Sequence, residues 1–247
     1  MKFFILTLMM LMNVSLTTAS EKNLKIAVAS NFLAPLTELK ALFEESSNIR
    51  LLLSSASSSK LYAQIEHGAP YDVFFSADQR LVEKLIINGK ADAGSNYVYA
   101  TGSLVLWSAD SSVPVKTKLY SSDIKRLAIA NPDVAPYGLA ARQVLQQLEL
   151  WDSFKKKIIY GENVGQAFQF VASKNAQLGF VALSQILNKN SKINRDNYWV
   201  VPKQLYSPLT QELLVLSKSR KKNLVREFMA YIKGEQAMAI IKSYGYQ

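Results

Sequence analysis

Cysteine is absent from the 247 residues. That excludes disulfide support, thiolate catalysis and cysteine-ligated zinc. Histidine occurs once, as His67. A zinc site built on paired histidines is therefore excluded too, and a Ser–His–Asp triad would have to form around this one residue. His67 precedes Gly68 at the end of the amphipathic segment "SKLYAQIEHG", where it reads as a helix stop rather than a base. We therefore expect no enzyme. Neither a phosphate-cradling P-loop nor a dinucleotide fingerprint is present. Charge is sparse as well: Asp, Glu, Lys and Arg make up 19% of the chain against 49% hydrophobic residues. Such a composition supports a packed core and argues against disorder. Acidic residues are the scarcer kind, 19 against 29 basic, for a net charge of +10. The basic residues are scattered, and "KSRKK" at 218–222 is the single dense run. No basic and aromatic alternation suggests nucleic acid, so the excess reads as a solvated basic surface, with attraction of anions or of a membrane surface as the alternative.

Long apolar runs are confined to the start. Lys2 is followed by "FFILTLMMLMNVSL" and then by "TTAS". A positive start, an apolar stretch too short for a membrane span and small residues for cleavage near Ala19 or Ser20 predict a secretory signal over residues 1–20. The mature protein is expected outside the cytoplasm.

What remains alternates between two periodicities. "LKIAVAS" (24–30), "IRLLLSS" (49–55) and "YDVFFSAD" (71–78) read as buried strands, and each leads into a segment with helical spacing. Pro35 is tolerated only in a first turn, so the first helix begins close to Ser30 or Asn31. "YVYATGSLVLWSAD" (97–110) reads as one long strand with a glycine inside it. The alternation then restarts with "KRLAIANP", "KKIIYG" and "LGFVALSQIL", followed by a late strand in "LYSPLTQELLVLSKS" and terminal helices over 223–244. Strand and helix at this spacing predict parallel sheets with helices on their faces. The expected architecture is α/β with two lobes and two crossings between them. Residues 21–98 and 207–247 form one lobe, residues 99–206 form the other, and the ligand lies in the cleft.

Four turns stand at the carboxyl ends of predicted strands and open helices: "AVASNFLAP", "LSSASSSKL", "NPDVAPYGL" and "GENVGQAF". Ligands of open α/β sheets bind at that edge. Helix starts expose unpaired N–H groups and the positive end of the helix dipole, which together hold an anion without a charged side chain. The serine run Ser54–Ser59, broken only by Ala56, supplies small hydroxyl donors there. Ser30, Asn31 and Ser58 are the candidate donors of one lobe. Tyr137 and the backbone N–H of Val164 are those of the other. Asn163 and Gln166 stand at capping-box spacing. Asp133 and Glu162, the acidic residues nearby, are expected to point outward or to cap backbone groups. A deprotonated tetrahedral oxyanion needs only donors, and these turns offer little else.

The same blocks carry a family resemblance that spans nearly all of the mature chain. "AVASNF", "ASSSKLYAQIEHGAPYDVFFSADQ", "ATGSLVLWS", "ANPDVAPYG", "LGFVALSQ" and "MAIIKSYGY" occur in the order found in the periplasmic molybdate-binding proteins of ABC transporters, and the second is the most specific. The resemblance implies a type II solute-binding fold. It implies molybdate, and tungstate beside it, held by neutral hydrogen bonds with no protein ligand on the metal atom and no cofactor. It also implies a periplasmic monomer that delivers its ion to the membrane permease of an ABC importer. Ser30 matches the first-loop hydroxyl, Asn31 follows it as in one subtype, and Ser58 matches the second-loop serine. Tyr137 matches a position that is Tyr in that subtype, and Val164 matches a backbone donor. Some members place a ligand-contacting Tyr where this chain has Ala182, so Tyr137 is expected to supply the phenol instead. Ser59 stands where many relatives have Gly and is expected either to adopt the backbone of a glycine or to alter the turn. A same-fold receptor for another oxyanion such as sulfate, and a two-lobed sensory module without transport, are the alternatives.

Overall fold

A computed structural model describes residues 22–110, 114–187 and 193–247. The expected signal segment lies outside them. Among the described residues no helix is long and apolar enough to cross a membrane.

The chain opens as expected, strand then helix: β1 (Asn23–Ala29), α1 (Leu33–Ser47), β2 (Arg50–Ala56), α2 (Ser58–Glu66), β3 (Val73–Ser76) and α3 (Gln79–Ile87). A single 3₁₀ turn, Ser30–Phe32, joins β1 to α1, and Pro35 falls in the first turn of α1. The predicted long strand is two strands, β4 (Tyr97–Gly102) and β5 (Leu104–Trp107), with Ser103 between them. Next come α4 (Val115–Lys118), β6 (Leu127–Ala130), α5 (Pro136–Gln147), α6 (Trp151–Phe154), β7 (Ile158–Gly161), α7 (Val164–Ala172), β8 (Leu178–Ala182) and α8 (Leu183–Ile186). The short strand β9 (Tyr198–Val200), which the sequence pattern does not reveal, precedes β10 (Leu209–Val215), α9 (Lys222–Lys233) and α10 (Glu235–Ser243).

The strands form two five-stranded sheets, in the orders β2-β1-β3-β10-β4 and β7-β6-β8-β5-β9. The chain passes from the first sheet to the second at Ser103, past the expected boundary after residue 98, and returns between β9 and β10. In each sheet the βαβ strands pair in parallel. The strands next to the crossings, β10 and β5, pair antiparallel with their neighbours. A strand that enters from the other lobe has no crossover helix to turn it round, so parallel pairing is not imposed on it.

Alternation along β1 divides the first core. Leu24, Ile26 and Val28 face α1, α9 and α10 together with Phe32, Leu39 and Phe228. Ala27 faces α2 and α3 with Leu61, Phe74 and Val82. In the second lobe β5, β6 and β8 are buried on both faces, which is why they read as continuous apolar runs. Each such Leu, Ile or Phe stabilises its lobe by about 1.5 to 3 kcal/mol on burial, so each lobe has a core large enough to keep its helix starts in place. The aromatics of the crossing region belong to these cores: Tyr99 and Trp107 are buried, and Trp107 stacks on Phe168 at 4.6 Å between ring centroids.

Candidate anion site between the lobes

Two lobes, each with helices starting at the carboxyl edge of its sheet, place those starts opposite each other. The turns at Ser30, Ser58, Tyr137 and Val164 line one pocket between the sheets. It measures about 10 Å³, a volume on the scale of one water molecule, which leaves no room for a sugar or peptide. No charged side chain lines it. Two wider grooves flank the lobe junction. One, of about 940 Å³, lies beside Leu33, Thr37 and Phe168; the other, of about 280 Å³, lies beside Arg80, Leu139 and Thr210.

Each wall has a local cause. Ser57, in extended conformation, is the N-cap of α2, and its hydroxyl accepts from the Lys60 N–H at 3.4 Å. That puts Ser58 at the first helical position, fully buried. Its Oγ accepts from the Ala77 N–H at 3.0 Å. A hydroxyl anchored through a lone pair keeps its proton for another acceptor, so Ser58 is a donor already aimed. Asn163 caps α7 by accepting from the Gln166 N–H at 3.1 Å, and the Gln166 side chain accepts from the Glu162 N–H at 2.6 Å. This is the expected reciprocal pair, closed one residue earlier than in a standard capping box. Pro136 opens α5, where its missing N–H costs nothing. The N–H groups of Tyr137 and Val164, at the starts of α5 and α7, have no intrahelical carbonyl to donate to.

The lobes touch beside the pocket. The Gly165 N–H points at Ser30 Oγ at 3.4 Å, and Ser184 Oγ donates to the Asn31 carbonyl at 2.7 Å. At the rim Lys60 Nζ meets Glu162 Oε2 at 3.1 Å. Asp133 is exposed and lies 3.6 Å from Arg142. Both acidic residues therefore point outward, as anticipated.

Not every candidate takes the part expected of it. The Asn31 amide is buried and committed: Nδ2 donates to Gln211 Oε1 at 2.7 Å and to Tyr246 Oη at 2.9 Å. Its side chain has no donor left for a ligand. The Tyr137 phenol runs past the site to the crossing strand, where its Oη would lie 2.2 Å from a Cβ on Gly102. That hydroxyl is buried beside the Tyr246 hydroxyl, and burial, helped by Tyr246 and Tyr99, pushes its pKa well up, so it stays protonated. The phenol is thus turned to the crossing strand and not into the pocket as anticipated. Ala182 is fully buried in β8 opposite Leu104 and does not line the pocket. Ser59 sits in the first turn of α2 with an ordinary negative φ and also stays out of the pocket. Ala77, Ser184 and Tyr246 fall inside blocks that carry the family resemblance, yet neither they nor Gln211 stand out as supports, because each is joined to its partner across 19 to 215 positions of chain.

Comparison with known proteins identifies the family. Residues 24–247 match the family described as bacterial extracellular solute-binding protein. A molybdate-binding protein ModA of Azotobacter vinelandii is 41% identical over 234 residues, covering 92% of this chain and 91% of the relative. One from Rhodobacter capsulatus is 38% identical over 221 residues, covering 89% and 86%. The solved structure of the Azotobacter vinelandii periplasmic molybdate-binding protein superposes with a TM-score of 0.86 at 42% identity, covering 91% of this chain and 98% of that one. Two sheets hinged at paired crossings, a pocket of helix starts between them and identity along nearly the whole chain place the protein in the family of bacterial extracellular solute-binding proteins.

Proposed function

We propose that the protein captures molybdate outside the cytoplasm and delivers it to the permease of an ABC importer. The observation that carries this reading is the pocket wall. Helix starts from both lobes converge on it, no charged side chain lines it, and Ser58 is held by Ala77 with its proton to spare. A fully deprotonated tetrahedral ion offers acceptors on every side and needs nothing else. Relatives at 41% and 38% identity are named for molybdate binding, and that name selects molybdate among such ions.

In this reading Ser30 and Ser58 donate through hydroxyls, and Asn31, Tyr137 and Val164 through backbone N–H groups. The metal atom stays enclosed in its oxygens with no protein ligand, no cofactor takes part and no bond is made or broken. Tungstate, of the same shape and charge, binds beside molybdate. Binding draws the lobes together, and the closed monomer, free in the periplasm, is the form the permease receives.

Thermal unfolding with molybdate, tungstate, sulfate and phosphate tests the proposal. At about a hundred times its dissociation constant a ligand adds roughly 2.7 kcal/mol, which for a chain of this size raises Tm by about 5 to 10 °C. A rise with molybdate and tungstate alone is expected. A rise with sulfate alone would make the protein a receptor for a smaller oxyanion, and no rise with any of the four would overturn the reading.

A further inference from the structure

The first ligand turn is held by groups that do not line the pocket. The Asn31 carbonyl accepts from Ser184 Oγ at 2.7 Å and lies 3.0 Å from Tyr246 Oη. Tyr246 Oη in turn accepts from Asn31 Nδ2 and lies 3.2 Å from Ser184 Oγ. All three residues are buried. Asn31 and Tyr246 belong to the first lobe, where the Tyr246 ring meets Phe32 edge-on at 5.5 Å. Ser184 stands in α8 of the second lobe. One residue of the ligand turn is therefore gripped from both lobes.

The C-terminal turn is shaped for this grip. Gly245 has φ +81°, which lets the chain leave α10 and turn back, and a Cβ there would come within 2.6 Å of Leu183 in α8. Gln247 then exchanges two backbone hydrogen bonds with Thr101 on the crossing strand. Tyr246 is pinned between the hinge and the ligand turn.

We infer that Tyr246 and Ser184 form a clasp on Asn31 that completes itself when the lobes meet, which makes Tyr246 a positioning residue for the ligand turn. This rests on the proposed function. The clasp holds the carbonyl and the side-chain amide on two sides of one Cα, so Asn31 keeps no free torsion and its N–H is carried to a set place. Its interlobe half exists only in the closed form, so it opposes opening and hence ligand release.

The test is rapid-mixing kinetics of molybdate binding, read by intrinsic tryptophan fluorescence, on wild type, Tyr246→Phe, Ser184→Ala and the double variant. Each single variant should release molybdate about tenfold faster while association changes less than about threefold. The double variant should release it no more than about threefold faster than either single one, because both hydroxyls serve one clasp. Fold-effects that multiply in the double variant, or release from Ser184→Ala at the wild-type rate, would overturn the clasp. Ser184→Ala alone decides the matter if Tyr246→Phe does not fold. A wild type that binds molybdate while both variants behave like it would remove this inference and leave the proposed function standing. A wild type blind to molybdate would remove both.

Discussion

Ser58 shows how much of the proposed site one residue can carry and how little of that is written beside it in the chain. Its place among serines after a strand marks it as a helix-start donor. Its aim comes from the Ala77 N–H, 3.0 Å away and at the end of a different strand. Removing the hydroxyl leaves the Ala77 N–H without its acceptor and, in the proposed site, takes one donor from the oxyanion. Ser58→Ala is therefore expected to weaken molybdate binding by roughly 1 to 3 kcal/mol, measurable by calorimetric titration, and wild-type affinity would remove Ser58 from the site. Asn31 and Tyr137 teach the opposite lesson. Both stand at the right positions, yet their side chains are turned elsewhere. A side chain's partner is chosen by what the fold brings near it, and Gln211 and Tyr246 lie far along the chain from Asn31.

At the scale of elements, the strand read as continuous from Tyr97 to Asp110 divides at Gly102 and Ser103 and enters two sheets. β4 is largely apolar and β5 is a continuous apolar run, so the two read as one strand and periodicity had no means of finding the break. The glycine has a second use. A Cβ at Gly102 would lie 2.2 Å from Tyr137 Oη and 3.3 Å from Gln211 Nε2, so β4 of one lobe carries a notch for the side chain of α5 from the other. Gly102→Ala should hold α5 away from the first lobe and weaken molybdate binding at least tenfold, about 1.4 kcal/mol. Adding Tyr137→Phe removes the clashing hydroxyl and should restore part of the loss. Unchanged affinity in Gly102→Ala, followed by the same titration, would show that closure does not use the notch.

At the scale of the whole molecule, charge and site play separate parts. The chain carries +10, yet no charged side chain lines the pocket, and the ion pair that spans its rim, Lys60 with Glu162, is exposed on both sides. Exposed pairs contribute little, whereas a net positive field draws in anions and is screened by salt. Raising the ionic strength should slow the association of molybdate several-fold and leave its dissociation nearly unchanged in stopped-flow traces. A dissociation rate that climbs with salt would mean that charge, not neutral hydrogen bonds, holds the ion.

Much of this protein is determined by sequence alone because the causes are local. The two periodicities, the proline at the first turn of α1 and the caps at Ser57 and Asn163 act within a few residues, and from them the strand–helix order and the four helix starts follow. The neutrality of the turns is equally local, and it already points to an oxyanion. Tertiary structure decided what depends on distant partners: the exchange of sheets at Ser103, the antiparallel entry of β5 and β10, the anchoring of Ser58 and the occupation of Asn31 and Tyr137. Those outcomes depend on which surfaces the two cores bring together, and burial acts on proximity in space, which no stretch of the chain records.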